Sequence, residues 1–220
     1  MRFKNREEAG ILLGQYIKDE LSEEEKKDAI ILAIPRGGVP VAYYISKETG
    51  IPFYIVITKK ITNPAEPEAA LGAVALDGSY ILSEYAKKLY SPELLENFAQ
   101  QAYEEAQERA KKYGFREIDL TDKTVLIVDD GVATGYTAIA ASLYAKNKGA
   151  KKVILAVPVC PLDSLPRLAK YFDKVICLYK ADVPFFAVGA FYKDFHQVED
   201  REFFNYIAKA LEEDLLAVNP

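Results

Sequence analysis

The densest chemistry in this 220-residue chain is the run Val125-Leu126-Ile127-Val128-Asp129-Asp130-Gly131-Val132-Ala133-Thr134-Gly135-Tyr136-Thr137. Four consecutive apolar residues suit a strand buried on both faces. The two acids at its carboxyl end can accept hydrogen bonds from the vicinal hydroxyls of a ribose. A small, hydroxyl-bearing turn follows, and a crossover helix beginning near Thr134 would turn free backbone N–H groups toward an anion. Thr134 and Thr137 add hydroxyl donors. Carboxylates for a sugar beside amides for a phosphate favour a phosphorylated ribose, although a strand exit and a helix cap can use the same residues.

Three other segments carry chemistry. Ile34-Pro35-Arg36-Gly37-Gly38-Val39 closes an earlier apolar run. Its glycines let backbone N–H groups approach a pyrophosphate and Arg36 supplies fixed charge, yet Arg-Gly-Gly is also a common strand-to-helix turn. Lys59 and Lys60 end another apolar run and open a long mixed segment through Leu71, with Pro64, Pro67, Glu66 and Glu68 inside it. Lysines in such a place are ordinarily solvent-facing. Residues Asp182 to Phe195 concentrate aromatics. Phe185 or Phe186 could stack on a flat ring while backbone groups near Val188 read its edge, and core packing or an oligomer contact would use the same side chains. The sole histidine, His196, is given no role. A Ser/His/Asp triad would have to run through it, and no Gly-x-x-x-x-Gly-Lys-Ser/Thr loop occurs.

In order and spacing these segments resemble the type I phosphoribosyltransferase family, and within it an uncharacterised phosphoribosyltransferase-like group. The run to Thr137 is similar to the family's phosphoribosyl-diphosphate (PRPP) motif: four apolar residues, two acids, two apolar residues, then small-Thr-Gly-x-Thr. Gly131 departs from it, standing where most relatives carry an aliphatic residue. The resemblance implies an α/β fold, a single domain over residues 1–220 with a mostly parallel twisted sheet flanked by helices and a small C-terminal hood near 179–198. It implies Mg-dependent transfer of a 5-phosphoribosyl group from PRPP to a small nitrogenous acceptor, a nucleobase in the first place, with release of pyrophosphate.

Carried over residue by residue, the resemblance places Ala133, Thr134, Gly135, Tyr136 and Thr137 on the 5-phosphate and Asp129 and Asp130 on the ribose hydroxyls. Arg36 and Gly37 hold pyrophosphate, in a loop where the family has a strained non-proline peptide bond. Lys59 and Lys60 close over the pyrophosphate from a mobile loop that excludes water. Arg36, Lys59, Lys60, Asp129 and Asp130 are the expected catalytic set. Lys180, Phe185, Phe186 and Val188 face the acceptor base. Mg²⁺ is held mainly by PRPP and water, with Asp129 and Asp194 as the protein ligands. Ala133 stands where enzymes of 6-oxopurines usually carry an Asp, which leaves the acceptor open. The alternative within the same fold is a non-enzymatic regulator that senses PRPP or a nucleotide.

These segments need an alternating scaffold to hold them. Asn5 is expected to cap a helix through Lys18, with a charged connector over Ser22–Asp28. Strand Ala29–Ile34, helix Val39–Lys47 and strand Phe53–Thr58 follow, then the mixed segment and a short strand pair, Gly72–Leu76 with Tyr80–Leu82, joined by Asp77-Gly78. A helix-rich stretch from Pro92 to Tyr113 leads into the acidic strand. Strands Val153–Val157 and Val175–Leu178 flank a helix near Leu162–Tyr171. Such alternation predicts a right-handed, mostly parallel sheet with ligands at the strands' carboxyl ends. The net charge of −5 argues against a nucleic-acid surface. Cys160 and Cys177 have neither disulfide-framework nor metal-ligand spacing and read as core residues. A charged start without an apolar leader, and apolar runs too short to cross a bilayer, predict a cytoplasmic protein without membrane partners. A homodimer is allowed.

Overall fold

The computed structural model describes residues 2–218. Its strands are β1 (Ala29–Ala33), β2 (Phe53–Ile55), β3 (Thr58–Asn63), β4 (Glu66–Ala75), β5 (Tyr80–Leu82), β6 (Thr124–Val128), β7 (Lys152–Pro161) and β8 (Lys174–Ala181). Its helices are α1 (Arg6–Glu20), α2 (Glu23–Lys27), α3 (Gly38–Thr49), α4 (Glu84–Leu89), α5 (Pro92–Lys112), α6 (Tyr136–Asn147), α7 (Leu165–Leu168) and α8 (Asp200–Glu212).

Five strands form one parallel sheet in the order β2-β1-β6-β7-β8. Their apolar runs are continuous rather than alternating because both faces are covered, and every residue of β1 and β6 is buried. From β1 the chain winds outward to β2, and from β6 it winds the other way to β7 and β8. The winding direction therefore reverses between β1 and β6, where an open parallel sheet leaves a crevice for ligands.

α1 forms as Asn5 predicts: the Asn5 side chain accepts from the Glu8 N–H. Its buried stripe is Arg6, Ala9, Gly10, Leu13, Gly14 and Ile17, at helical spacing. The expected charged connector after it is instead a short helix, α2. Ser22 and Glu25 make a reciprocal capping box there, and the buried Glu25 carboxylate takes Lys152 at 3.0 Å and Lys174 at 3.3 Å.

The larger difference lies between β2 and β6. The mixed segment Lys59–Leu71 is not an irregular loop: β3 and β4 form an antiparallel hairpin, and β5 completes a second, three-stranded sheet. Pro67 fits because pairing jumps from Asn63↔Glu66 to Thr62↔Ala70, so the proline falls in a bulge with no ladder bond to donate. Val74 and Leu71 bury against Leu95, Phe98 and Ala102 of α5, while Ala73 and Ala75 join the main core. This flap is thus buttressed on both faces. The helix expected over Leu162–Tyr171 shrinks to a 3₁₀ turn and α7, while β7 and β8 run longer than predicted. Cys160 and Cys177 are buried and free. Among the described residues no helix is long and apolar enough to cross a membrane.

Candidate functional site

Because β1 and β6 pair in register, Ala33 opposite Val128, the loops that leave their carboxyl ends emerge side by side. The first contains a cis peptide between Pro35 and Arg36. Its two glycines lie against the acids of the second. A Cβ on Gly37 would sit 2.3 Å from Asp130 Oδ2, and one on Gly38 would sit 2.8 Å from the Val128 carbonyl oxygen and 3.1 Å from Asp129 Cα. Asp129 faces the crevice, with its Oδ1 accepting from the Asp130 N–H at 2.8 Å. Asp130 Oδ2 instead accepts from Arg6 Nε at 3.0 Å. Burial pushes the Asp129 carboxyl well up from its ordinary value, and the neighbouring Asp130 charge adds to it. Burial also pushes Asp130 up, with the Arg6 guanidinium working against it.

The small-residue turn into α6 follows. Gly135 caps α6 with a left-handed φ of 86°, and no side chain caps the helix, so the amides of its first turn point outward. Ala133 and Thr134 are exposed, while Tyr136 and Thr137 are half-buried. Arg167 braces the turn, donating from Nη1 to the Thr134 carbonyl at 2.7 Å and lying over the Tyr136 ring.

The flap faces this loop across a cleft of about 320 Å³. Thr137 and Asp129 line one side of the cleft; Lys59, Lys60 and Arg109 line the other. Lys59 is 3.5 Å from Glu105, Lys60 is exposed, and Arg109 donates to the Thr58 carbonyl at 3.3 Å. Helix α5 therefore supplies one cation of the wall and steadies another. Arg36 points elsewhere, to Asp200 Oδ1 at 3.2 Å, in a cluster where Lys112 and the Tyr113 hydroxyl meet the same carboxylate.

The hood is bound to the start of the chain: the Phe3 N–H donates to the Phe191 carbonyl, and the Lys193 and Asp194 N–H groups donate back to Phe3 and Lys4. Lys180 is exposed, and Phe185 is 94% exposed. Phe186 stacks on Phe191 with centroids 5.4 Å apart. Val188 packs over Gly131, where an added Cβ would meet its methyl at 2.6 Å. The Asp194 carboxylate accepts from His196, both from its main-chain N–H and at Nδ1, and Glu202 takes the Nε2 side of that ring. Among the described residues no group of three or more His, Cys, Asp or Glu side chains is arranged to hold a metal.

Arg6 and Arg109 are site residues that the motifs did not indicate. Arg6 had one signal, a charge in the otherwise small and apolar buried stripe of α1. Arg109 had none, since it lies among the charges of a solvated helix.

An acid pair and a small-residue helix start at the reversal point of a parallel sheet, facing a cationic flap, define an α/β domain whose cleft unites a carboxylate, a hydroxyl and cations. Residues 3–194 match the model of the phosphoribosyl transferase domain, and the chain belongs to that family. Two Mycobacterium tuberculosis proteins bearing the name "Putative phosphoribosyl transferase", from strains CDC 1551 and H37Rv, are each 38% identical over 204 residues. The matches cover 90% of this chain and 45% of each relative, so the chain spans about half their length. The crystal structure of TT1426 from Thermus thermophilus superposes with a TM-score of 0.77 at 33% identity, covering 95% of this chain and 99% of that one.

Proposed function

We propose that the protein transfers the 5-phosphoribosyl group of PRPP to a nitrogenous acceptor and releases pyrophosphate. One observation carries this reading: Thr137 of the phosphate loop, the Asp129 carboxylate and the cations Lys59, Lys60 and Arg109 share the walls of a single cleft. PRPP has a partner for each, a phosphate for the helix amides and hydroxyls, ribose hydroxyls for the acid, and a pyrophosphate for the cations. As the bond from C1 to the pyrophosphate oxygen breaks and the acceptor nitrogen bonds to C1, negative charge grows on the leaving oxygen. Cations fixed beforehand on a folded flap stabilise that charge more than the ground state.

Mg²⁺ suits this donor set. A single cleft carboxylate, Asp129, leaves most of the coordination shell to phosphate oxygens and water, as the ion prefers. When bound it neutralises charge on the departing pyrophosphate. We place the acceptor beneath the hood, where the exposed Phe185 ring and Lys180 are free to meet a flat, polar-edged base.

The sensor reading draws on one feature, the hood's inner surface, where Phe186 is taken by Phe191 and Val188 by Gly131. Purified protein given PRPP, Mg²⁺ and a panel of bases and amines separates the two. Acceptor-dependent pyrophosphate release supports transfer. PRPP binding without release for any acceptor supports a sensor, no PRPP binding refutes transfer, and binding of neither PRPP nor a nucleoside 5-monophosphate refutes both.

A further inference from the structure

We propose that Arg6 is a positioning residue of the acid pair, acting on Asp130, the neighbour of the cleft-facing Asp129. One guanidinium fixes the Asp130 carboxylate and ties it to the hood, so that PRPP is held well only when the hood is seated. The claim rests on the proposed function for its ligand, but its geometry is independent of it.

Arg6 is 7% exposed, at the first position of α1, and 124 residues from its partner. Nε donates to Asp130 Oδ2 at 3.0 Å, Nη1 donates to the His196 carbonyl at 2.7 Å, and the guanidinium carbon lies 4.2 Å from the Phe195 ring centroid. The two donors diverge toward two segments. A lysine could serve one of them but not both, and it could not stack flat on the ring. Tyr192 completes the clamp from the hood, its hydroxyl donating to the Asp130 carbonyl at 2.6 Å. Both halves of Asp130 are therefore held, the side chain by Arg6 and the main chain by Tyr192, which sits in a packed cluster with Phe3, Ala9, Val159 and Ala181.

This arrangement exceeds what anchoring an N-terminus requires. The three hydrogen bonds of Phe3 and Lys4 to the hood already do that. A buried ion pair is in itself poor evidence for stability, because desolvation offsets the attraction. What it supplies is a defined direction for one carboxylate, and here that carboxylate adjoins the ribose-facing Asp129.

The test is a double-mutant cycle on Mg·PRPP affinity by calorimetry, with thermal unfolding followed in parallel. Arg6→Gln is expected to weaken binding about tenfold or more, the loss of one charge-assisted bond, and Arg6→Lys to fall between it and wild type. Arg6→Gln combined with Asp130→Asn should bind no worse than Asp130→Asn alone, since Arg6 acts through Asp130. Fully additive losses, or a lowered melting temperature with unchanged affinity, overturn the proposal. A ligand-free crystal structure of Arg6→Gln gives a second reading: the Asp130 carboxylate must leave its place against Gly37. If it stays, the positioning role falls even if wild-type protein binds no PRPP, a result that would refute only the functional reading. Should Arg6→Gln fail to fold, Arg6→Lys carries the same cycle.

Discussion

Gly37→Ala is a one-carbon test of how tightly the acid pair is built. Gly37 has φ −61° and ψ −27°, a right-handed conformation open to any residue, so the substitution brings no backbone penalty. The added methyl would stand 2.3 Å from Asp130 Oδ2, whereas ordinary contact begins at 3.4 Å, so the carboxylate must retreat by about 1 Å. A surface carboxylate would swing aside at little cost. This one is 13% exposed and bonded to Arg6 at 3.0 Å, and retreat breaks that bond. Losing a charge-assisted hydrogen bond costs about 1.5–3 kcal/mol. For a chain of this size that lowers the melting temperature by about 3–12 °C. PRPP affinity should fall about tenfold with the displaced acid. Thermal unfolding and calorimetry measure both effects, and Gly37→Ala in an Asp130→Ala background should add almost nothing to either. Wild-type melting and binding in the single variant would refute the claim that the carboxylate is pinned.

Three further outcomes are expected. Arg109→Ala should lower turnover more than it weakens PRPP binding in steady-state kinetics, because its charge meets the leaving group chiefly in the transition state; equal losses in KM alone would mark it as a ground-state contact. Thr134→Val with Thr137→Val should weaken PRPP binding in calorimetry without unfolding the chain, and unchanged affinity would remove the phosphate from this loop. For Glu25, burial works to raise the carboxyl, but the Ser22 amide, Lys152 and Lys174 outweigh it and hold it at about 2. A carboxyl held below its unfolded value of 4.5 stabilises the fold above that pH, and the contribution fades as pH falls toward 2. Its lysine partners are 41% and 35% exposed, so screening keeps the value modest. Glu25→Gln should cost about 1–3 kcal/mol in urea unfolding at pH 7, with the deficit shrinking at pH 3.

The parts of the site that lie close together in the chain were legible in it. Asp129 to Thr137 announced a strand exit and an anion-binding turn because strand, acids and helix start follow one another without a break. The reversal between β1 and β6 follows from α/β alternation only once the flap is seen as an excursion from it. That excursion was misread because prolines at 64 and 67 signal irregular chain, and no local pattern shows that one of them falls in a bulge. Arg6 and Asp200 are further cases: their partners, Asp130 and Arg36, are 124 and 164 residues away in the chain. A short-range pattern cannot register pairs of that separation.

The flap's own core has a thermodynamic consequence. Had Lys59 and Lys60 ridden on a disordered lid, each binding event would have had to freeze that lid, at a conformational-entropy cost of about 1 kcal/mol or more per ordered residue. Here Ile61, Leu71 and Val74 are packed against Leu95, Phe98 and Ala102 in the flap's own cluster, so the ordering is complete when the chain folds. On the proposed function, an incoming pyrophosphate meets a flap backbone that is already folded, and its affinity is not reduced by the work of building that wall.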